Sequence, residues 1–218
     1  MRLRNHSTGL AVCIAAATLT VALAPVHAAV RPPKLQYQMM TLGNGLRVIL
    51  SEDHSTPIVH VSVTYHVGSK NERAGRTGFA HLFEHMMFKG SKNVEPESHT
   101  SIIASVGGRS NAFTTEDETV FWQTLPSHYL PLALWLESDR MRSLAVTQEN
   151  LDNQREAVKE EKRLRYDNQP YVNGFLRLFE MSFKNPANAH STIGSMEDLD
   201  AATIDDVRDF HNTYYVPE

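Results

Sequence analysis

Apolar and polar residues alternate most clearly over Ile58–Val67, where Val59, Val61, Val63, Tyr65 and Val67 face one way and His60, Ser62, Thr64 and His66 the other. That period of two predicts a strand with one face in a core. Upstream, Tyr37–Leu42 and Leu46–Ser51 read as strands around Gly43-Asn44-Gly45, whose Asn-Gly pair favours a tight hairpin. Downstream the period lengthens. Thr77 is a plausible cap for a helix running to about Lys89, and Ser98–Val106 reads as a helix stopped by Gly107-Gly108. Arg109–Thr115 and Thr119–Leu125 predict a second hairpin around Glu116-Asp117-Glu118, read as a solvated acidic turn. Leu130–Met141, a long helix over Thr147–Asp167 capped by Thr147 and closed by Pro170, Val172–Phe183 and Thr203–Tyr214 complete the elements. Hairpins followed by helices, without βαβ units, predict an α+β domain with a largely antiparallel sheet packed against helices.

The first residues follow a different logic. Arg2 and Arg4, an apolar stretch from Gly9 to Ala24, and the small residues of Val26-His27-Ala28 form the three parts of a secretory signal peptide, with cleavage expected after Ala28. A retained anchor is the alternative, disfavoured by Thr18, Thr20 and the small residues at 26–28. Lipidation of Cys13 is disfavoured by the bulk of Val12. The expected organisation is a signal peptide over 1–28, a linker over 29–36 and a domain over 37–218, in a protein that is secreted or periplasmic.

Cleavage changes the chemistry available. It removes the one cysteine together with Arg2 and Arg4, so that the 218 residues become 190 and the formal charge moves from −4 to −6. A mature chain without a thiol excludes a cysteine nucleophile and cysteine-ligated zinc. Mild acidity argues against nucleic acid as a partner, and no second apolar run suggests a membrane span after cleavage.

Histidine and carboxylate therefore carry the candidate chemistry, and His81-Leu82-Phe83-Glu84-His85 concentrates it. Side chains four apart on a helix share a face about 5–6 Å apart, so both imidazoles can reach one zinc ion. Glu84, beside them, is the candidate general base for a water activated at that ion. The glutamate precedes the second histidine, which is the inverted form of the zincin pattern. With 11 His and 15 Glu in the chain, chance supplies only about 0.04 such motifs, so the bland alternative of two partly buried helix histidines is the weaker reading. A third ligand must come from another element. On the Thr147–Asp167 helix, Glu149, Glu156, Glu160 and Glu161 are all candidates, and a solvated charged face is the plain expectation for each.

Three segments in order, His81–Gly90, Gly107-Gly108-Arg109-Ser110-Asn111-Ala112-Phe113-Thr114 and Val158-Lys159-Glu160-Glu161, resemble the pitrilysin or insulin-degrading enzyme family, to which the mitochondrial processing peptidases belong. The resemblance covers about Tyr37 to Glu218. It implies the N-terminal domain fold of that family, one Zn2+ per chain held by His81, His85 and Glu161, and Glu84 as base. It also implies that Asn111, Ala112 and Phe113 lie on an edge strand that pairs with an extended peptide substrate, Asn111 touching it; a core position is an equal expectation for Phe113. Many relatives carry a glutamate where this chain has Gln154.

The family pattern continues beyond Glu218 into further strands and at least one related domain. The chain is thus expected to be C-terminally incomplete, with a partner chain or self-association supplying the missing domain. The expected activity is zinc-dependent endopeptidase. The alternatives are a non-catalytic binding or assembly subunit and an inactive gene fragment.

Overall fold

The computed structural model describes residues 34–217. The expected signal peptide lies outside them. Five strands pair antiparallel in two sheets: β1 (Gln38–Thr41) with β2 (Arg47–Leu50), and β3 (Ile58–Tyr65), β4 (Arg109–Thr114) and β5 (Thr119–Pro126) in the order β3-β5-β4. Seven helices follow or interrupt them: α1 (Phe79–Met86), α2 (Ser98–Ser105), α3 (Leu130–Ser143), α4 (Gln148–Lys162), α5 (Val172–Ser182), α6 (Met196–Ala201) and α7 (Ile204–Tyr214). This is the mixed helical and antiparallel architecture that the alternation and hairpin signals predict. The short α6 has no counterpart among the expected elements.

Register divides the three-stranded sheet into two faces. Val63 pairs with Phe121 and Phe121 with Ala112, Val61 aligns with Gln123 and Ser110, and Tyr65 with Thr119 and Thr114; these residues look inward. The buried cluster behind them includes Phe79, Leu82, Phe83 and Met86 of α1, Leu151 and Val158 of α4, Val207 and Phe210 of α7, and Tyr215. The outward face carries His60, Ser62, Thr64, Arg109, Asn111, Phe113, Val120, Trp122 and Thr124. There the Trp122 ring lies between His60, stacked 5.8 Å away, and the guanidinium of Arg109 at 5.9 Å. Phe113 is 45% exposed on this face and so is no core residue. The face is set by the pleat, which sends alternate residues to opposite sides.

A buried polar cluster sits within the inner layer. Arg140 donates to both oxygens of Glu137 at 2.6–2.9 Å, Gln123 Nε2 donates to Glu137 Oε1 at 2.9 Å, and the Arg140 guanidinium lies 4.5 Å from the Phe121 ring centre. His99 is wedged beside them, 4% exposed, its Nε2 3.9 Å from Glu137. Burial, reinforced by the Arg140 charge, drops the His99 pKa to about 3.

The start of α1 departs from expectation. Thr77 is not its cap: its hydroxyl and backbone N–H both donate to Asp198 Oδ2, at 2.6 and 2.9 Å, tying this segment to α6. Gly78 takes the cap position with φ +82°, and a Cβ there would lie 2.5 Å from the Ile193 carbonyl oxygen. The orphan N–H groups of the helix are met instead by Glu72, whose side chain is fully buried and accepts from Gly78 N at 3.0 Å and Ala80 N at 2.7 Å. The helix also ends at Met86 rather than near Lys89.

Replacing Glu72 by Ala leaves those N–H groups buried without acceptors, and urea unfolding is expected to show a loss of roughly 1–3 kcal/mol. His99 makes the fold sensitive to acid. Its neutral form is held in the folded state while the unfolded chain binds a proton below about 6.5, so its contribution is present above that pH and lost as pH falls toward about 3. Unfolding midpoints measured across pH 3–7 are expected to fall with acid, with a shallower slope in His99→Gln.

Candidate metal centre

The motif helix sorts its residues by angle. Phe79, Leu82, Phe83 and Met86 recur at the helical spacing and enter the core. His81 and His85 are left on the flank, with ring centres 4.7 Å apart and planes at 83°. On α4 the buried residues are Leu151, Gln154 and Val158, and Glu161 is the next position on that face. Thr147 caps this helix as expected, its hydroxyl accepting from Asn150 N at 3.2 Å. Packing α1 against α4 through these stripes brings together the flanks that carry His81, His85 and Glu161.

Glu161 Oε2 lies 3.3 Å from His85 Nε2 and 3.7 Å from His81 Nε2. One donor atom from each of the three residues falls within 4.8 Å of the others. Tetrahedral bonds of about 2.0–2.2 Å to zinc need donors separated by roughly 3.3–3.6 Å, so the residues fit that ion. Glu149 and Glu160 are exposed, Glu160 bonding Arg163 at 3.0 Å, and Glu156 pairs with Lys159 at 3.2 Å. Of the four glutamates considered on this helix, Glu161 alone joins the two histidines.

Protonation favours a cation. Burial, together with the neighbouring His85, lowers the His81 pKa to about 4, so its ring is neutral at pH 7. The His85 ring, its Nε2 3.3 Å away, holds the Glu161 carboxyl below its usual range. Both are the deprotonated forms that bind metal. His81 Nδ1 is buried without a partner among the described residues.

The surrounding shell orients the donors. His85 Nδ1 sits 3.3 Å from Gln154 Oε1, which selects the tautomer that leaves Nε2 toward the centre. Arg165, in the π-helical turn Arg163–Asp167 that follows α4, bonds Glu161 Oε1 at 2.8 Å and leaves Oε2 for the histidines. Glu84, 8% exposed, accepts a hydrogen bond from the Thr114 hydroxyl, and burial raises its pKa. Thr114 and Arg165 were not among the expected site residues; the former stands next to the Asn111–Phe113 segment, and the latter carries no signal beyond its i+4 spacing from Glu161.

The strand residues divide. Ala112 looks inward and packs against the core, whereas the side chains of Asn111 and Phe113 lie on the sheet's outer face, opposite to the side on which Thr114 meets Glu84. What β4 presents beside the centre is its free edge, since it is the outer strand of the β3-β5-β4 order.

Known proteins share this arrangement of chain. The zinc protease PqqE of Helicobacter pylori is 34% identical over 196 residues, 89% of this chain and 44% of that protein. An uncharacterized zinc protease of Streptomyces coelicolor is 29% identical over 177 residues, 81% of this chain and 38% of its own. Among solved structures, a protease from Helicobacter pylori superposes with a TM-score of 0.80 at 34% identity, covering 84% of this chain and 44% of that one. The periplasmic protease PqqL from Escherichia coli gives 0.76 at 26% identity over 87% and 22%. This chain thus spans under half the length of the relatives it matches. Residues 47–193 match the family described as Insulinase (Peptidase family M16), and the chain belongs to that family of peptidases.

Proposed function

We propose that this chain is the metal-bearing part of a zinc-dependent endopeptidase that hydrolyses peptides or unfolded segments. The observation that carries the reading is the convergence of Glu161 Oε2 on the Nε2 atoms of His81 and His85, at 3.7 and 3.3 Å, from two different helices. His81, His85 and Glu161 would hold one Zn2+ per chain. Bound there, the ion supplies Lewis acidity, lowering the pKa of water toward about 7 and polarising a carbonyl.

Glu84 is the base in this reading. Burial raises its pKa, which fits it to accept a proton from water and return it to the departing amine. Gln154 and Arg165 hold His85 and Glu161 in the donating orientation.

Substrate binding falls to the β4 edge. The Thr115 N–H to Glu118 carbonyl bond of 2.8 Å sets the phase of the ladder. Alternation then turns the backbone groups of Asn111 and Phe113 toward β5 and those of Ser110, Ala112 and Thr114 outward. An extended peptide adding there gains main-chain hydrogen bonds at Ala112 with little demand on its sequence. Asn111 and Phe113 would contact it around the strand's outer rim.

Activity in this reading draws on further polypeptide packed against this part, a partner chain or a second copy among its possible sources. The apolar side of α5, with Phe175, Leu178 and Met181 each more than 60% exposed, supports that element. Export through residues 1–28 belongs to the same reading, with the periplasmic protease PqqL as the parallel. No described helix is long and apolar enough to cross a membrane.

Two measurements test the proposal. Elemental analysis of purified protein is expected to find about one zinc per chain, and chelator competition on Glu161→Gln to show a loss larger than the roughly 10–100-fold that a supporting partner costs. A fold that carries no zinc would favour the assembly-subunit reading. In a quenched-peptide assay Glu84→Gln is expected to keep its zinc and lose about 10²–10⁴ in rate; hydrolysis that survives the change removes Glu84 as base.

A further inference from the structure

Among the described residues the Glu84 side chain makes one hydrogen bond, and it comes from the sheet. The donor is Thr114 Oγ1 at the last position of β4, accepted by Glu84 Oε2. An ionised carboxylate only accepts, so the hydroxyl must be the donor, and it occupies one of the two carboxylate oxygens. The other is left for the proton that the reaction moves.

The backbone behind that hydroxyl is unusually well held. Thr114 is paired with Thr119, whose own buried hydroxyl donates to the Val67 carbonyl at 2.9 Å. The next turn is closed by Thr115 N to Glu118 O at 2.8 Å and clamped from the loop after β3 by Ser69 N to Thr115 O at 3.1 Å and Lys70 N to Glu116 O at 3.0 Å. Gly68 permits that clamp, since a Cβ there would sit 2.3 Å from the Thr115 carbonyl oxygen. Lys70 also pairs with Asp117, so the acidic turn is fastened rather than merely solvated. A β-branched side chain with few rotamers, on an anchored backbone, presents its hydroxyl in one direction.

We propose that Thr114 is a positioning residue for the hydrolytic base: its hydroxyl sets the carboxylate of Glu84, and because Thr114 ends the strand whose free edge would carry the peptide, one rigid element registers substrate and base together. This rests on the peptidase reading above, with Glu84 as base. The Thr114 hydroxyl is spent on Glu84 and not on a metal donor. Its effect is on the turnover step and not on zinc or peptide binding.

The test uses the full chain as Thr114→Val, which keeps shape and strand preference but loses the hydroxyl, and Thr114→Ser, which keeps the hydroxyl. Zinc affinity by chelator competition and the unfolding midpoint are expected to match the parent in both, which shows that each folds. In zinc-loaded crystal structures the Glu84 carboxylate is expected to leave its parent orientation in Thr114→Val and to keep it in Thr114→Ser. In peptide hydrolysis kcat is expected to fall about 10–100-fold in Thr114→Val at unchanged KM, and to recover in Thr114→Ser. A Glu84 orientation that is the same in Thr114→Val as in the parent overturns the proposal, whether or not the parent turns over peptide. So does an unchanged kcat while Glu84→Gln is inactive. A fully active Glu84→Gln would instead sink the underlying assignment of the base, an outcome distinct from either.

Discussion

Everything at the centre depends on two helices being packed face to face through apolar stripes that leave their polar flanks adjacent. Leu82, Phe83 and Met86 of α1 share one buried cluster with Leu151 and Val158 of α4. Each stripe has the 3.6-residue period, so the positions immediately beside it are fixed in angle. His81 and His85 stand beside one stripe and Glu161 extends the other. A donor triangle a few ångströms across follows from close packing of side chains with no polar atoms of their own.

Such packing leaves little room for uncompensated charge, and the shell answers atom by atom. Gln154 meets His85, Arg165 meets Glu161, Thr114 meets Glu84, and Glu72 meets the N–H groups that open α1. Each partner comes from a different stretch of chain: the body of α4, the π-turn after it, the end of β4 and the loop before α1. Of the ring nitrogens of the two histidines, His81 Nδ1 alone is buried without a partner among the described residues. The lowered pKa of His81 and the raised pKa of Glu84 share a cause in burial, which disfavours the charged form of either group. The same desolvation therefore favours the neutral ring of His81 and the protonated carboxyl of Glu84.

The sheet joins these parts through its register. Inward residues of β4 and β5 build the floor under α1, and the same pleat turns Asn111, Phe113, Arg109 and Trp122 to the opposite face. Away from the floor, several apolar side chains remain in contact with solvent, including Met39 and Ile49 of the first hairpin and Phe175, Leu178 and Met181 of α5. This chain spans 44% of the length of the Helicobacter pylori zinc protease it resembles.

What the sequence determined by itself is what depends on spacing within one element. The alternation over Ile58–Val67, the Asn-Gly hairpin, the cap at Thr147 and the two histidines four apart are local patterns, and the strands, the α4 start and the paired imidazoles appear where they say. By residue type alone the third candidate donor is a choice among four glutamates, and family resemblance points to Glu161; in the structure Glu161 is the one that meets the two histidines, because it continues the buried Leu151–Gln154–Val158 face. Tertiary structure alone decided how α1 begins, with Thr77 drawn off to Asp198 and a buried Glu72 taking the helix donors, and that the Thr114 hydroxyl meets Glu84. Those outcomes turn on contacts between residues far apart in the chain, whose energies exceed the small local preferences for cap or face, and no periodicity encodes them.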